Sequence, residues 1–154
     1  MSEEIRIIVE EELNALAERI RQHHTEAGQV ASGRTRNSIK VEVEGENSVT
    51  GTLYGRAFFG TLETGSKPWR TQYAKPPRAF VQTIQQWIDD KGLDLNAFLT
   101  ARKIMLEGSK LFRDGGRSDI YSNEIPTTLD TIAERVTRIY EMQVIKSIQI
   151  NTKQ

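Results

Sequence analysis

The sequence predicts an α+β fold in which a small antiparallel sheet of three to four strands packs against a long N-terminal helix and C-terminal helices. Three observations predict it. Apolar residues recur at steps of three and four over residues 3–26, they alternate with polar residues after residue 38, and helical spacing returns after residue 79. A length of 154 residues suits one domain, so we assign residues 1–154 to a single domain.

The first element is an amphipathic helix over residues 3–26. Gly28 is expected to end it, and the polar segment 29–36, which contains Gly33, is expected to be a loop or a linker. The apolar face of this helix is formed by Ile5, Val9, Leu13, Leu16 and Ile20.

A β-meander follows the loop. Ile39, Val41 and Val43 alternate with charged residues, which predicts a half-buried strand. A turn at residues 45–47 leads to a second strand over residues 49–54, and the apolar run 57–62 is expected to complete the meander. Because an isolated hairpin is only marginally stable, the sheet needs either that third strand or a packed helix.

Residues 64–78 carry Gly65 and three prolines, which predicts a long loop. Helical spacing resumes at Phe80 and is expected to stop at Gly92. A further helix is capped by Asn96 and runs to residue 112, with Gly108 as a weak point inside it.

The C-terminal part begins with a second loop over residues 113–124, which contains two consecutive glycines. A last helix then opens at Pro126 or Thr127. Alternation over residues 146–150 predicts a short terminal strand that could join the sheet edge.

The composition excludes several function classes. The chain has 21 Lys and Arg against 21 Asp and Glu, which argues against a protein whose whole surface binds DNA. It has no Cys, so disulfides, thiolate nucleophiles and Cys-based zinc sites are excluded. No apolar stretch approaches the ~20 residues that span a bilayer, and the acidic start is unlike a signal peptide. We therefore expect a soluble, unsecreted protein without a membrane partner.

No motif predicts an enzyme. Residues 60–67 have the glycine spacing of a P-loop, but Ser66 and Lys67 stand in the wrong order and Pro68 interrupts the helix that a P-loop needs. His23 and His24 are adjacent, so on a helix they point about 100° apart and do not share a metal ion. No serine lies in a nucleophile elbow. We expect no catalytic residue, no metal and no cofactor.

A basic and aromatic stretch over residues 56–78 is the strongest functional signal. It contains one acid, Glu63. Such a loop can anchor a protein interface or bind nucleic acid, and the neutral total charge favours the interface. The first 31 residues hold seven acids and three bases, so complementary charges could join copies of the chain head to tail. The stretch contains Arg56, Phe58, Phe59, Lys67, Trp69, Arg70, Tyr73, Lys75 and Arg78.

Three stretches, in this order, resemble the tail-completion and neck proteins of tailed bacteriophages. Residues 32–39, Ser-Gly-Arg-Thr-Arg-Asn-Ser-Ile, are similar to that family's Thr-Gly-x-Leu-Arg-x-Ser-Ile. Residues 63–66, Glu-Thr-Gly-Ser, resemble its Glu-Phe-Gly-Thr, and residues 76–81, Pro-Pro-Arg-Ala-Phe-Val, resemble its Arg-Pro-Phe-Leu. The resemblance covers residues 3–91 as a core, and residues 94–154 form a helical extension. Within that extension, residues 108–117 also resemble a stretch of some phage proteins of this type.

The resemblance implies a non-enzymatic virion protein of the phage neck, assembled in the host cytoplasm. It implies a homo-oligomeric ring of six or twelve subunits between connector or portal proteins and tail proteins, with weak contact to passing DNA. The alternative is a small nucleic-acid-binding module that uses residues 56–78. Gly33 and Gly65 would give backbone freedom, and Glu63 would either fix its corner, pair with a neighbour or remain an exposed strand-end carboxylate. The interface candidates are Gly33, Arg36, Ser38, Glu63, Gly65, Lys67, Trp69, Arg70, Tyr73 and Arg78.

Overall fold

The protein is mostly helical, with a small antiparallel sheet after a long N-terminal helix. The structure is a computed structural model and describes residues 2–70 and 74–151. Its elements, in chain order, are α1 (Ser2–Glu26), α2 (Arg34–Asn37), β1 (Lys40–Glu44), β2 (Thr50–Tyr54), α3 (Thr61–Thr64), α4 (Arg78–Lys91), α5 (Ala97–Glu107), α6 (Lys110–Arg113) and α7 (Glu124–Asn151).

The sheet is a hairpin whose stability depends on α1. β1 and β2 pair in antiparallel register, with Val41 opposite Leu53 and Val43 opposite Gly51. A Cβ on Gly51 would lie 2.5 Å from the side chain of Leu13, so the strand runs directly against the helix. Of the two ways to stabilise the sheet, the chain therefore uses the packed helix.

The main core lies between α1, the hairpin and the segment before α7. Its buried residues are Leu16, Ala17, Ile20, Ile39 and Ile120. A second buried cluster joins α4 to α5 and consists of Ile84, Ile88, Ala97 and Ala101. The apolar spacing that predicted helices at residues 3–26 and from Phe80 is therefore also the spacing of the buried faces.

The predicted third strand over residues 57–62 is wrong. Successive backbone N–H groups donate to carbonyls three residues back, as from Phe59 to Arg56 and from Leu62 to Phe59, and α3 begins at Thr61. These local bonds use the donors that a strand would offer to a neighbour. Phe59 and Leu62 both pack on the main core, and their spacing of three fits a helical turn better than a strand. Three to four strands are thus not found within residues 2–70 and 74–151, where the sheet has two.

The predicted terminal strand over residues 146–150 is also wrong, because α7 continues as a helix to Asn151. The hydroxyl of Ser147 donates to the carbonyl of Gln143, four residues back, as is common on helices. Once a long helix has formed, adding a residue costs little, and a brief alternation does not stop it. Pro126 lies in the first turn of α7, where its missing N–H has no helical acceptor.

Gly108 ends a helix instead of weakening one. It has a φ of 85°, and a Cβ there would lie 2.9 Å from the carbonyl oxygen of Ser66. The chain therefore leaves α5 at Glu107 and starts again in α6, whose first turn is capped by the side chain of Ser109. Asn96 caps α5 and Gly92 ends α4, as predicted.

α7 packs antiparallel along α1 through ion pairs at both ends of their contact. Arg135 binds Glu12 at 2.7 Å and Glu11 at 2.6 Å, and Arg19 binds Glu124 at 2.8 Å.

No helix within residues 2–70 and 74–151 combines the length and apolar character that crossing a bilayer requires.

Candidate functional site

The first part of the candidate site is a buried corner, residues 63–66, at the end of α3. Glu63 is 4% exposed. Its Oε1 accepts hydrogen bonds from the backbone N–H groups of Ile120 at 3.0 Å, Tyr121 at 2.7 Å and Ser122 at 2.9 Å, and its Oε2 accepts one from the Ser122 hydroxyl. The carboxylate therefore fixes the backbone turn that leads into α7.

These hydrogen bonds favour the ionised form of Glu63. Burial alone raises the pKa of this carboxyl, but the hydrogen bonds from the Ser122 hydroxyl and from the three backbone N–H groups outweigh it and lower the pKa below its usual value. Glu63 is thus a buried anion held by neutral donors. It fixes its corner, and the alternative of an exposed strand-end carboxylate is wrong.

The buried corner interlocks with residues 108–117. The Ser109 N–H donates to the Ser66 carbonyl at 2.8 Å, the Ser66 N–H donates to the Ser109 hydroxyl at 3.0 Å, and the Arg117 N–H donates to the Glu63 carbonyl at 2.8 Å. Gly65 has a φ of 68°, and a Cβ on it would lie 2.4 Å from the backbone nitrogen of Phe112. Two stretches that are separated by more than 40 residues in sequence thus form one unit.

The second part of the site is an open cavity of about 650 Å³ beside the buried corner. It lies between the end of α1, the loop before α2 and the outer face of α4. Gln29 links the two parts, because it lines the cavity and its amide nitrogen donates to the Leu62 carbonyl in α3 at 2.7 Å. Residues that line the cavity include His24, Gln29, Gly33, Arg34, Arg56 and Asp90.

Residues 32–35 line part of the cavity, and the loop over residues 32–39 is attached to the base of the hairpin. Gly33 lines the cavity with a φ of 78°. The Ser38 hydroxyl donates to the Thr35 carbonyl at 2.7 Å and accepts from the Arg56 N–H at 3.1 Å. Arg36 is exposed, and its charge helps to lower the pKa of His24. Of these three candidates, Gly33 lines the cavity, Ser38 bonds a residue that lines it, and Arg36 acts on His24 through its charge.

The interface candidates on the loop that follows the buried corner do not line the cavity. Trp69 packs edge-on against Phe80 with ring centroids 5.4 Å apart, and the guanidinium of Arg70 lies 5.3 Å from the centroid of Trp69. Both Trp69 and Arg70 hydrogen-bond through their backbone N–H groups to the Met105 carbonyl, which attaches this loop to α5. Lys67 and Arg78 are exposed. Tyr73 lies outside the described residues.

The acidic character of α1 is partly neutralised within the same chain. Arg135 of α7 binds both Glu11 and Glu12. A head-to-tail contact that uses α1 as its acidic partner would therefore have to compete with α7. The hairpin carries another acidic group, because Glu42, Glu44 and Glu46 are exposed and no Lys or Arg lies between residues 41 and 54.

Sequence reasoning missed His24, Gln29 and the backbone donors of residues 120–122. His24 is 2% exposed, and burial, followed by the charges of Lys91 and Arg36, lowers its pKa. Its place on α1 carries a signal, since it lies four residues after the buried Ile20. The donors to Glu63 are backbone groups, which no side-chain motif reveals.

Within the described ranges, no group of three or more His, Asp and Glu side chains is placed to hold a metal ion. Comparison of the chain with models of protein families, with curated proteins and with solved structures gives no match.

Proposed function

We propose that the chain is a non-enzymatic structural subunit of a tailed-bacteriophage neck, which forms a ring of six or twelve copies between the portal-side connector and the tail. One observation carries the proposal. The four stretches that resemble phage neck proteins, spread over residues 32–117, are joined in space. Residues 32–39 and 76–81 contribute to the wall of the cavity, residues 63–66 interlock with residues 108–117, and Gln29 connects the cavity to the buried corner.

The chemistry of these stretches suits a structural role. Every oxygen of the Glu63 carboxylate accepts hydrogen bonds from its own chain, so the one buried acid of these stretches holds the shape of the corner. Apolar side chains on the distal half of α7 are about half exposed, including Met142 at 55% and Val144 at 59%. Apolar surface of this kind is typical of proteins that bind other proteins.

Native mass spectrometry tests the proposal. The chain is measured at low and high salt over a range of concentrations, alone and mixed with purified connector and tail proteins. We expect a discrete ring, or a complex with one of these proteins. A monomer in every mixture would contradict the proposal, and an image class of the assembled particle by cryo-electron microscopy would identify the ring that the chain occupies.

The second candidate is a nucleic-acid-binding module that uses residues 56–78. Its specific support is the pair of Arg70 and Trp69 on an exposed, basic loop, a combination that can bind phosphate and stack on bases. Two contacts count against this candidate, because both Phe80 and Arg70 already pack on the Trp69 ring on which a base would have to stack.

A gel shift with short duplexes at increasing salt separates the two candidates. The module would be favoured if the chain still binds the duplex at 0.15 M salt and if the triple variant Arg70→Gln, Lys75→Gln and Arg78→Gln loses that binding. A ring subunit that only touches passing DNA should bind weakly and lose that binding in moderate salt. Replacing the exposed Lys103 by Gln serves as the control, because it lies on α5 outside the basic stretch.

A further inference from the structure

The cavity has a polar floor with two unsatisfied atoms. Neither the Nδ1 of His24 nor the Oε1 of Gln29 has a hydrogen-bond partner within residues 2–70 and 74–151, although both atoms are buried. The amide nitrogen of Gln29 already donates to Leu62, which leaves its oxygen as an acceptor. Buried polar atoms in proteins are nearly always paired, so these two side chains lack partners that a rotation toward the cavity would let them find.

An occupant can pair with both atoms once the His24 ring and the Gln29 amide rotate toward the cavity, because each atom is closed to solvent in the free chain. Gln29 needs a donor, and neutral His24 needs either a donor or an acceptor at Nδ1, according to its tautomer. A carboxamide or a peptide group meets both needs, because each carries N–H groups beside a carbonyl oxygen.

The charges around the cavity favour an acidic occupant. Arg34 and Arg56 line it, and Arg36 and Lys91 lie close enough to His24 for their charges to lower its pKa. Asp90 is the acid among the lining residues, and Gln86 donates a hydrogen bond to it at 2.9 Å.

The hairpin carries the matching groups. Glu42, Glu44 and Glu46 give it three negative charges, and Asn47 at its tip provides an exposed carboxamide among peptide groups. This acidic hairpin, residues 41–54, is narrow because its sheet has two strands within the described residues.

The hairpin cannot reach the cavity of its own molecule. Its base is attached to the cavity wall, since the Ser38 hydroxyl accepts from the N–H of Arg56, which lines the cavity. Five residues per strand place the tip roughly 16 Å from that base, at about 3.3 Å per residue. The tip is therefore separated from its own cavity wall by about the length of the hairpin, and no residue of 41–54 lines that cavity.

We propose that the cavity receives the acidic hairpin tip of a second copy of the chain, with Arg34 and Arg56 facing its glutamates. This inference rests on the proposed ring and names the contact that would build it. Tip and cavity are different surfaces of one molecule, so the contact is heterologous, and repeating it closes a ring when the rotation between copies permits.

Engineered cysteines test the contact, because the natural chain has none. The Glu46→Cys variant is mixed with a Thr83→Cys variant, which carries its thiol on the cavity wall, under conditions in which native mass spectrometry shows assembly. We expect disulfide-linked pairs to form at least tenfold faster than with a Lys103→Cys control, whose position on α5 does not line the cavity.

The outcomes distinguish this inference from the proposed function. Assembly without the Glu46 to Thr83 disulfide would overturn the hairpin contact and leave the ring proposal standing. Absence of assembly in every mixture would overturn both. A closed dimer that forms the disulfide would support the contact and contradict the ring.

Charge reversal gives an independent test that does not depend on cysteine geometry. Replacing Glu42, Glu44 and Glu46 by Lys should weaken self-association at least tenfold, and so should replacing Arg34 and Arg56 by Glu. Mixing the two variants should restore association, because the reversed charges again match. All five side chains are exposed, and circular dichroism of each variant checks that it folds. Association that none of these changes affects would overturn the inference.

Discussion

At the scale of single residues, Glu63 joins two parts of the chain that lie 57 to 59 residues apart. The three backbone N–H groups it accepts from belong to consecutive residues, 120–122, so one carboxylate sets the direction of the chain as it enters α7. Ile120 is 0% exposed and part of the main core, which means that its N–H group has no access to water. Removing the carboxylate would leave a buried donor unpaired.

The Glu63→Ala variant should therefore be strongly destabilised. We expect a loss of about 2–4 kcal/mol in the free energy of unfolding, since unpaired buried donors cost about 1–3 kcal/mol each. The Glu63→Gln variant retains one acceptor oxygen and should lose less. Urea denaturation followed by circular dichroism measures both. The control is Glu134→Ala, at an exposed position of α7, and its free energy of unfolding should stay within about 0.5 kcal/mol of the parent. If Glu63→Ala were as stable as the parent, Glu63 would not be needed to pair the buried backbone donors.

His24 and Glu63 predict two separate windows of pH dependence. The pKa of His24 is lowered in the folded state, so below pH about 6.5 the unfolded chain binds a proton that the folded chain does not. Stability should then fall as the pH decreases through that value, by at most about 1.4 kcal/mol per pH unit. The pKa of Glu63 is also lowered, so its contribution is complete above about pH 4.3 and is lost as the pH falls further through the folded value.

Two variants separate these windows and serve as controls for each other. Urea denaturation at several pH values should show that His24→Gln flattens the profile between pH 7 and 5.5, whereas Glu63→Gln flattens it only below pH about 4.5. Identical profiles for His24→Gln and the parent above pH 5.5 would show that His24 takes up its proton equally in both states.

At the scale of elements, the unit formed by residues 63–66 and 108–117 depends on Gly65. Its φ of 68° and ψ of −177° lie in a region that only glycine adopts readily, and a Cβ would meet the backbone of Phe112. The Gly65→Ala variant should therefore separate the buried corner from α6 and destabilise the protein by at least about 2 kcal/mol.

Limited trypsin digestion, alongside urea denaturation, measures this separation. Lys110, Arg113 and Arg117 lie in the segment that the buried corner holds, so Gly65→Ala should accelerate cleavage there. Gly92→Ala is the matched control, because Gly92 has a φ of 63° but open space where its Cβ would stand. Gly92→Ala should lower the free energy of unfolding by about 1–2 kcal/mol and leave these cleavage sites protected. Equal cleavage in both variants would show that backbone strain alone, without the lost contact to α6, exposes the sites.

The elements also show what could be predicted from the sequence. Residues 3–26 and the helix after Phe80 repeat their apolar pattern over several turns, and each is found as a helix whose predicted face is buried or half-buried. The apolar run at 57–62 and the alternation at 146–150 are only six and five residues long, and both segments form helical turns instead of strands. Gly108 gives a local signal of a break, but its close approach to Ser66 depends on a distant segment. The candidate site is built largely from such distant contacts, which is why Glu63 could be named while its partners could not.

At the scale of the whole molecule, a net charge of zero conceals an uneven distribution. Arg135 forms ion pairs with Glu11 and Glu12 in the middle of α1. The acidic hairpin, residues 41–54, carries three glutamates and contains no Lys or Arg. Arg34 and Arg56 line the cavity, and Arg56 is bonded at the base of the hairpin and not at its tip. Positive and negative surfaces are therefore separated along the molecule, which is an arrangement that favours ordered association of copies over nonspecific adhesion.

Self-association should for this reason weaken as salt is added. Raising the ionic strength from 0.1 M to 1 M shortens the screening length from about 10 Å to about 3 Å, so contacts between exposed charges lose most of their energy. Analytical ultracentrifugation at both salt concentrations should show an association constant at least ~10-fold lower at the higher one. A variant with Glu42, Glu44 and Glu46 replaced by Gln is the control, and it should associate weakly at both concentrations. An association constant that stays equal or rises with salt would assign the contact to apolar surface instead, and the exposed Met142 and Val144 of α7 would then be the side chains to replace.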